Sequence, residues 1–244
     1  MSPDRVAQQV ADWLRADVDA LGPMPDSATA RRSRRRLLDL VDHAPAFMQI
    51  LAEPLFGPGG EDVGATFLAC ARVHLYARVL DDALDDNLPL DRRNLLRIQP
   101  LFWHAVHMLG AQHPAQAQTA AALIHTTVEA VERDDAAARP AEWGRKNFHL
   151  LLLPLLLSGD SMAYREALPG LEAVIALAQA HEEAEQGRLN EPGVRAAVAG
   201  CLTQWLEPDH VDALQRHGWG SAASRLISDG EALLCRMNRI TTPV

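Results

Sequence analysis

From Pro3 to Arg239, apolar residues return every three or four positions, and the interruptions are those that end helices: Gly or Pro pairs, followed by Asp or Ser where a new helix can start. No stretch alternates apolar and polar residues as a half-buried strand does. The pattern predicts an all-α fold, an antiparallel bundle of helices joined by short loops. The predicted helices cover about 3–21, 26–43, 47–55, 61–87, 91–112, 114–138, 140–157, 162–188, 191–206, 209–217 and 221–239. Composition points the same way, since the chain is rich in Ala and Leu, both strong helix formers. With 244 residues, 48% of them hydrophobic, and no stretch resembling a linker, residues 1–244 read as a single domain with a sizeable core.

A net charge of −9 argues against nucleic acid as the main partner, because that binding needs a basic field. Cys70, Cys201 and Cys235 are too few and too scattered for a disulfide framework or a zinc site, and read as thiols of a reducing cytoplasm. The N-terminal segment has no basic-then-apolar pattern of a signal peptide. The apolar run 150–157 is far shorter than the ~20 residues that span a bilayer, so no integral membrane segment is expected.

The most informative stretch is Asp81-Asp82-Ala83-Leu84-Asp85-Asp86. On a helix turning ~100° per residue, its four aspartates fall within an arc of roughly 140°. Each like-charged i,i+4 pair, Asp81 with Asp85 and Asp82 with Asp86, costs about 0.2–0.5 kcal/mol. A hard divalent cation offsets such repulsion, and magnesium commonly joins one or two carboxylates to substrate phosphates. The plainer alternative is a solvated acidic helix end, with Arg78 making ordinary ion pairs to Asp81 and Asp82.

The same segment resembles the first aspartate-rich motif, DDxxD or DDxxDD, of class I terpene synthases and the related polyprenyl diphosphate synthases. The resemblance implies a motif helix at the mouth of an α-helical bundle of the class I isoprenoid synthase type. It also implies Asp81 and Asp85 bridging Mg2+ ions on an allylic isoprenyl diphosphate, with Asp82 and Asp86 supporting them, and a possible homodimer. The family's second metal motif is not intact here. In its place, 101 residues after Asp81, stands Gln179-Ala180-His181-Glu182-Glu183-Ala184-Glu185, with Glu182 and Glu185 as candidate ligands. Asp229 with Glu231 forms a weaker acidic candidate.

Trp143-Gly144-Arg145-Lys146-Asn147-Phe148 resembles the lysine-bearing helix of the prenyltransferases, which implies that Lys146, with Arg145 beside it, reaches the diphosphate. Positive groups held in place stabilise the leaving group as the carbon–oxygen bond breaks. Arg188 and Arg225 complete the candidate cations, and each of the four also reads as a solvated charge. The pair His104/His107 lacks a third metal ligand, and the basic run Arg31 to Arg36 reads as a solvated face able to steer an anionic substrate. Phe67, Tyr76, Phe102, Trp103, Trp143 and Phe148 are candidates for lining a pocket that shelters a carbocation.

The resemblance implies a magnesium-dependent class I terpene synthase-like enzyme that ionises an allylic isoprenyl diphosphate and releases pyrophosphate, with a chain-elongating prenyltransferase as the alternative. An all-α nucleotide pyrophosphohydrolase and a catalytically degenerate partner subunit are the other readings.

Overall fold

The computed structural model describes residues 2–21, 28–56, 63–84, 92–137, 139–159 and 161–241. Among them are eleven α-helices, four short 3-10 turns and no strand, so the all-α expectation holds. The chain groups into two compact units, residues 1–117 and 118–244.

The first unit is built from α1 (Pro3–Ala20), α2 (Ala28–Leu51), α3 (Val63–Leu84) and α4 (Arg92–Gln112). In α1 the positions Val10, Leu14 and Val18 form one buried stripe at four-residue spacing. It packs on α2 and α3, while α3 packs along α4. The core gathers Leu37, Val41, Met48 and Leu51 of α2, Phe67, Cys70 and Val79 of α3, and Ile98 and Ala105 of α4. Each fully buried Val, Leu, Ile, Met or Phe among them contributes about 1.5–3 kcal/mol.

Helix α2 does not stop before Pro45, as the proline suggests, but runs through it to Leu51. Met48 and Leu51 lie beyond the proline on the face that carries Leu37 and Val41, and all four are essentially buried. Core burial on that scale outweighs the roughly 3 kcal/mol cost of an interior proline. Proline also stands inside α4, at Pro100.

The second unit is organised around α8 (Met162–Glu185). Packed on it are α6 (Trp143–Lys146), α7 (Phe148–Ser158), α9 (Pro192–Trp205), α10 (Pro208–Arg216) and α11 (Gly220–Thr241). Helix α5 (Ala117–Ala137) precedes them. The Ser161 hydroxyl caps α8 by accepting from the Tyr164 amide at 3.2 Å. Residues 150–156 of α7 are all buried, as expected of a helix that is hydrophobic on every side. At the end of α10 the backbone turns through left-handed Gly218, and the Trp219 amide donates to the Leu214 carbonyl at 2.8 Å. That turn delivers the Trp219 indole, 1% exposed, into the core beside α11.

One predicted helix, 140–157, is instead a 3-10 turn (Pro140–Glu142) followed by the short α6 and then α7. The break is at Asn147, whose backbone leaves the helical region while its side-chain amide donates to the Trp143 carbonyl at 2.8 Å. Asparagine competes with the backbone for hydrogen bonds in this way.

Only the segment Val63–Asp81, among the described residues, is long and apolar enough to cross a membrane, and half of it is buried inside the protein. It carries Arg72 in a two-pronged ion pair with Asp17 of α1, which marks it as a core helix.

Candidate functional site

Asp81 lies in the last turn of α3, after turns that bury Val73, Leu75 and Val79. Its carboxylate is 66% exposed and accepts an ion pair from Arg78 at 3.2 Å, while the Arg78 side chain is only 14% exposed. The core therefore pins the arginine, and the aspartate stands at the protein–water boundary. The Asp82 backbone continues the helix, but its side chain, like all of Asp85 and Asp86, lies outside the described residues. Among the described residues no group of three or more His, Cys, Asp or Glu side chains is placed to hold a metal ion.

Just before this acidic end the aromatic candidates of the first unit separate into two kinds. Phe67 is fully buried and packs on Phe56, ring centroids 5.9 Å apart, so it belongs to the core. Tyr76 and Phe102 stack at 4.2 Å between α3 and α4, Trp103 meets Phe102 edge-on at 5.5 Å, and Trp103 is 64% exposed. Tyr76 precedes Asp81 by about 7.5 Å along the helix axis. Within α3, burial and the neighbouring Arg78 push His74 down to about 3, so it is neutral at physiological pH. His104 accepts from Arg72 at 3.2 Å through Nδ1, and His107 is exposed on the same helix.

In the second unit the acids of α8 divide by burial. Glu183 is buried and receives the Gln179 amide at 2.8 Å and the Arg188 guanidinium. Glu182 is half-buried with Gln186 at 3.5 Å, and Glu185 is exposed. Glu185 therefore faces outward, Glu182 sits at the boundary, and the acid between them is committed to the helix end. On α11, Asp229 pairs with Arg225 at 3.0 Å, and its carbonyl accepts from His181 Nε2 at 2.9 Å.

Each candidate cation of this unit has a carboxylate partner of its own. Arg145 Nε lies 3.4 Å from Glu172, whose carboxyl burial pushes up and Arg145 partly restores. Lys146 Nζ lies 2.6 Å from Asp134 of α5, Arg188 pairs with Glu183, and Arg225 with Asp229. To bind an anion, each must share its charge or exchange its partner. Trp143 is buried 6.2 Å from Trp205, and Phe148 meets His149 edge-on.

Comparison with family models, with curated proteins and with solved structures gives no match.

Sequence reasoning did not single out Asp134, the buried carboxylate that meets Trp143 and Lys146. Nothing local marks it, because its partners Trp143 and Lys146 are set by the packing of α5 on α6. A compositional signal did exist: Lys146 is the single lysine among 23 cationic side chains, the other 22 being arginine.

Proposed function

We propose that the protein is a magnesium-dependent class I isoprenoid synthase, with the helical bundle of that superfamily, which ionises an allylic isoprenyl diphosphate and releases pyrophosphate. The observation that carries this reading is Asp81, exposed on α3 after turns that bury Val73, Leu75 and Val79. Four aspartates within six residues repel one another, and a bound cation relieves that repulsion. Hard carboxylate oxygens suit magnesium, and Asp81 with Asp82, Asp85 and Asp86 are the residues that would hold it. Magnesium, when bound, supplies charge that stabilises the departing pyrophosphate.

The protein's own groups do the rest. Arg78 balances the Asp81 carboxylate and keeps it at the boundary. Tyr76 and Phe102 offer stacked aromatic faces near the acidic end, the kind of surface that stabilises a cation without a nucleophile. Lys146, with Arg145, Arg188 and Arg225 as further candidates, is the cation proposed for the diphosphate, and Glu182 and Glu185 are the proposed second pair of carboxylates.

The test is pyrophosphate release with magnesium from geranyl, farnesyl and geranylgeranyl diphosphates, each with and without isopentenyl diphosphate, and with products identified by mass spectrometry. Release from an allylic diphosphate alone supports a terpene synthase, and release only with isopentenyl diphosphate a chain-elongating prenyltransferase. Hydrolysis of nucleoside triphosphates instead would assign the pyrophosphohydrolase reading. One observation favours a non-catalytic partner subunit: all four candidate cations are neutralised by internal carboxylates. Magnesium binding without turnover of any substrate selects that reading.

A further inference from the structure

The corner between α10 and α11 is held by a compact set of backbone bonds. The His217 amide donates to the Ala213 carbonyl at 3.1 Å, and the Gly218 amide to the Gln215 carbonyl at 3.1 Å. Left-handed Gly218 lets the chain reverse, and Trp219, fully buried, anchors the start of α11. One side chain of α8 reaches this corner. Glu166 Oε2 accepts His217 Nε2 at 2.7 Å and Arg216 Nη1 at 3.3 Å. The last residue of α10 and the one after it therefore grip a single carboxylate oxygen of the neighbouring helix.

The two cations respond differently to pH. Arg216 keeps its charge throughout, whereas histidine is the side chain whose charge changes between pH 5 and 8. The hydrogen bond from His217, with the nearby charges of His217 and Arg216, holds the Glu166 carboxyl below the usual carboxylate range against the opposing effect of burial. Glu166 thus stays ionised while His217 titrates. The His217 side chain is 16% exposed, enough to exchange protons with water. The charged groups around it are Glu166 and the exposed Arg165 of α8, and Arg216 and the exposed Asp212 of α10. On α11 the first charged side chain is Arg225, paired with Asp229 at 3.0 Å. The other histidine of α10, His210, is engaged at the far end of the helix, where Nδ1 donates to the Trp205 carbonyl at 3.3 Å and Nε2 lies 4.0 Å from Glu207.

We propose that His217 and Glu166 form a proton-operated latch, which fastens the α10–α11 corner to α8 at mildly acidic pH and slackens as the pH rises past neutrality. The imidazolium–carboxylate pair is complete above the ordinary glutamate value of 4.5 and below the ordinary histidine value of about 6.5. At higher pH a neutral hydrogen bond remains, and Arg216 alone supplies the charge. The latch is therefore graded: Trp219 keeps the corner docked, and the proton sets how often it opens. Its sign is opposite to that of His74, whose neutral form burial favours. The latch stands independently of the synthase reading.

Amide hydrogen exchange of the full chain, read by mass spectrometry on peptides covering 208–223, measures this opening at pH 6 and pH 8 once exchange times are scaled for the intrinsic rate. The expected result is protection about two- to fivefold lower at pH 8 in the wild type, the scale of a half-exposed ion pair. His217→Gln keeps a donor that cannot titrate, and its protection should stay near the wild-type pH 8 level at both pH values. Glu166→Gln keeps an acceptor without the charge and should also lose the dependence. Any contribution from His210 and Glu207 survives in both variants and is separated in that way. Should His217→Gln not fold, Glu166→Gln, changed at an exposed position, gives the same contrast. Wild-type protection that is equal at the two pH values or higher at pH 8 overturns the inference, as does a pH dependence that both variants share with the wild type.

Discussion

Arg72 and Asp17 join α3 to α1 through two parallel contacts, Nε to Oδ2 at 2.8 Å and Nη2 to Oδ1 at 3.0 Å, with both side chains at most 15% exposed. Breaking such a pair from one side strands a partly desolvated charge. Arg72→Met or Asp17→Leu alone is therefore expected to cost about 3–5 kcal/mol, and the double replacement much less than the sum. Urea titrations of the two single variants and the double variant measure this, and additive losses would show the pair to be uncoupled.

Asp81→Ala removes one acid from a crowded helix end, so the folded state should hold within about 0.5 kcal/mol of wild type. If Asp81 holds magnesium, pyrophosphate release should drop about a hundredfold or more in the same variant. Circular dichroism and a release assay on one preparation separate the two effects. Unfolding of the variant, with full activity in what remains folded, would remove Asp81 from the site.

Gly144 and Gly110 make a matched contrast. A methyl at 144 runs into the Glu172 carbonyl, a backbone atom that cannot swing away, and Gly144→Ala should destabilise by about 1–3 kcal/mol. A methyl at 110, inside α4, meets nothing within 4 Å, and Gly110→Ala should stabilise by about 0.5–1 kcal/mol. Thermal melts of both variants decide the signs.

His74 predicts the shape of the acid limb. Burial lowers its folded value from 6.5 to about 3, so between those limits the unfolded chain binds the extra proton. Stability should therefore be fully present above pH 6.5 and fall as the pH drops toward 3. The loss is about 1.4 kcal/mol per pH unit from this group once the pH is well inside that window. His74→Leu should flatten that slope when denaturant midpoints are compared at pH 5 and pH 7, and an unchanged slope would assign it to other groups.

Helix identity and most boundaries were legible because periodicity and punctuation are local properties, as α1, α4 and α8 show to within a few residues. The two departures came from competition that a linear reading underweighs. At Pro45 the burial of Met48 and Leu51 outvoted a local breaker. At Asn147 a side-chain hydrogen bond interrupted a run whose composition is helical throughout. The candidate site was legible only as residue types. That Lys146 meets Asp134, or that Glu183 turns inward between Glu182 and Glu185, depends on which helices pack together, and spacing along the chain carries little of that.

The placement of the five tryptophans gives the two units different optical characters. Trp143, Trp205 and Trp219 of the second unit are at most 6% exposed, while Trp13 and Trp103 of the first are 38% and 64% exposed. Iodide should quench the red-edge emission of the first pair and leave the blue-shifted trio nearly untouched. Collisional quenching along a denaturation curve can then follow each half of the chain with its own unmodified fluorophores.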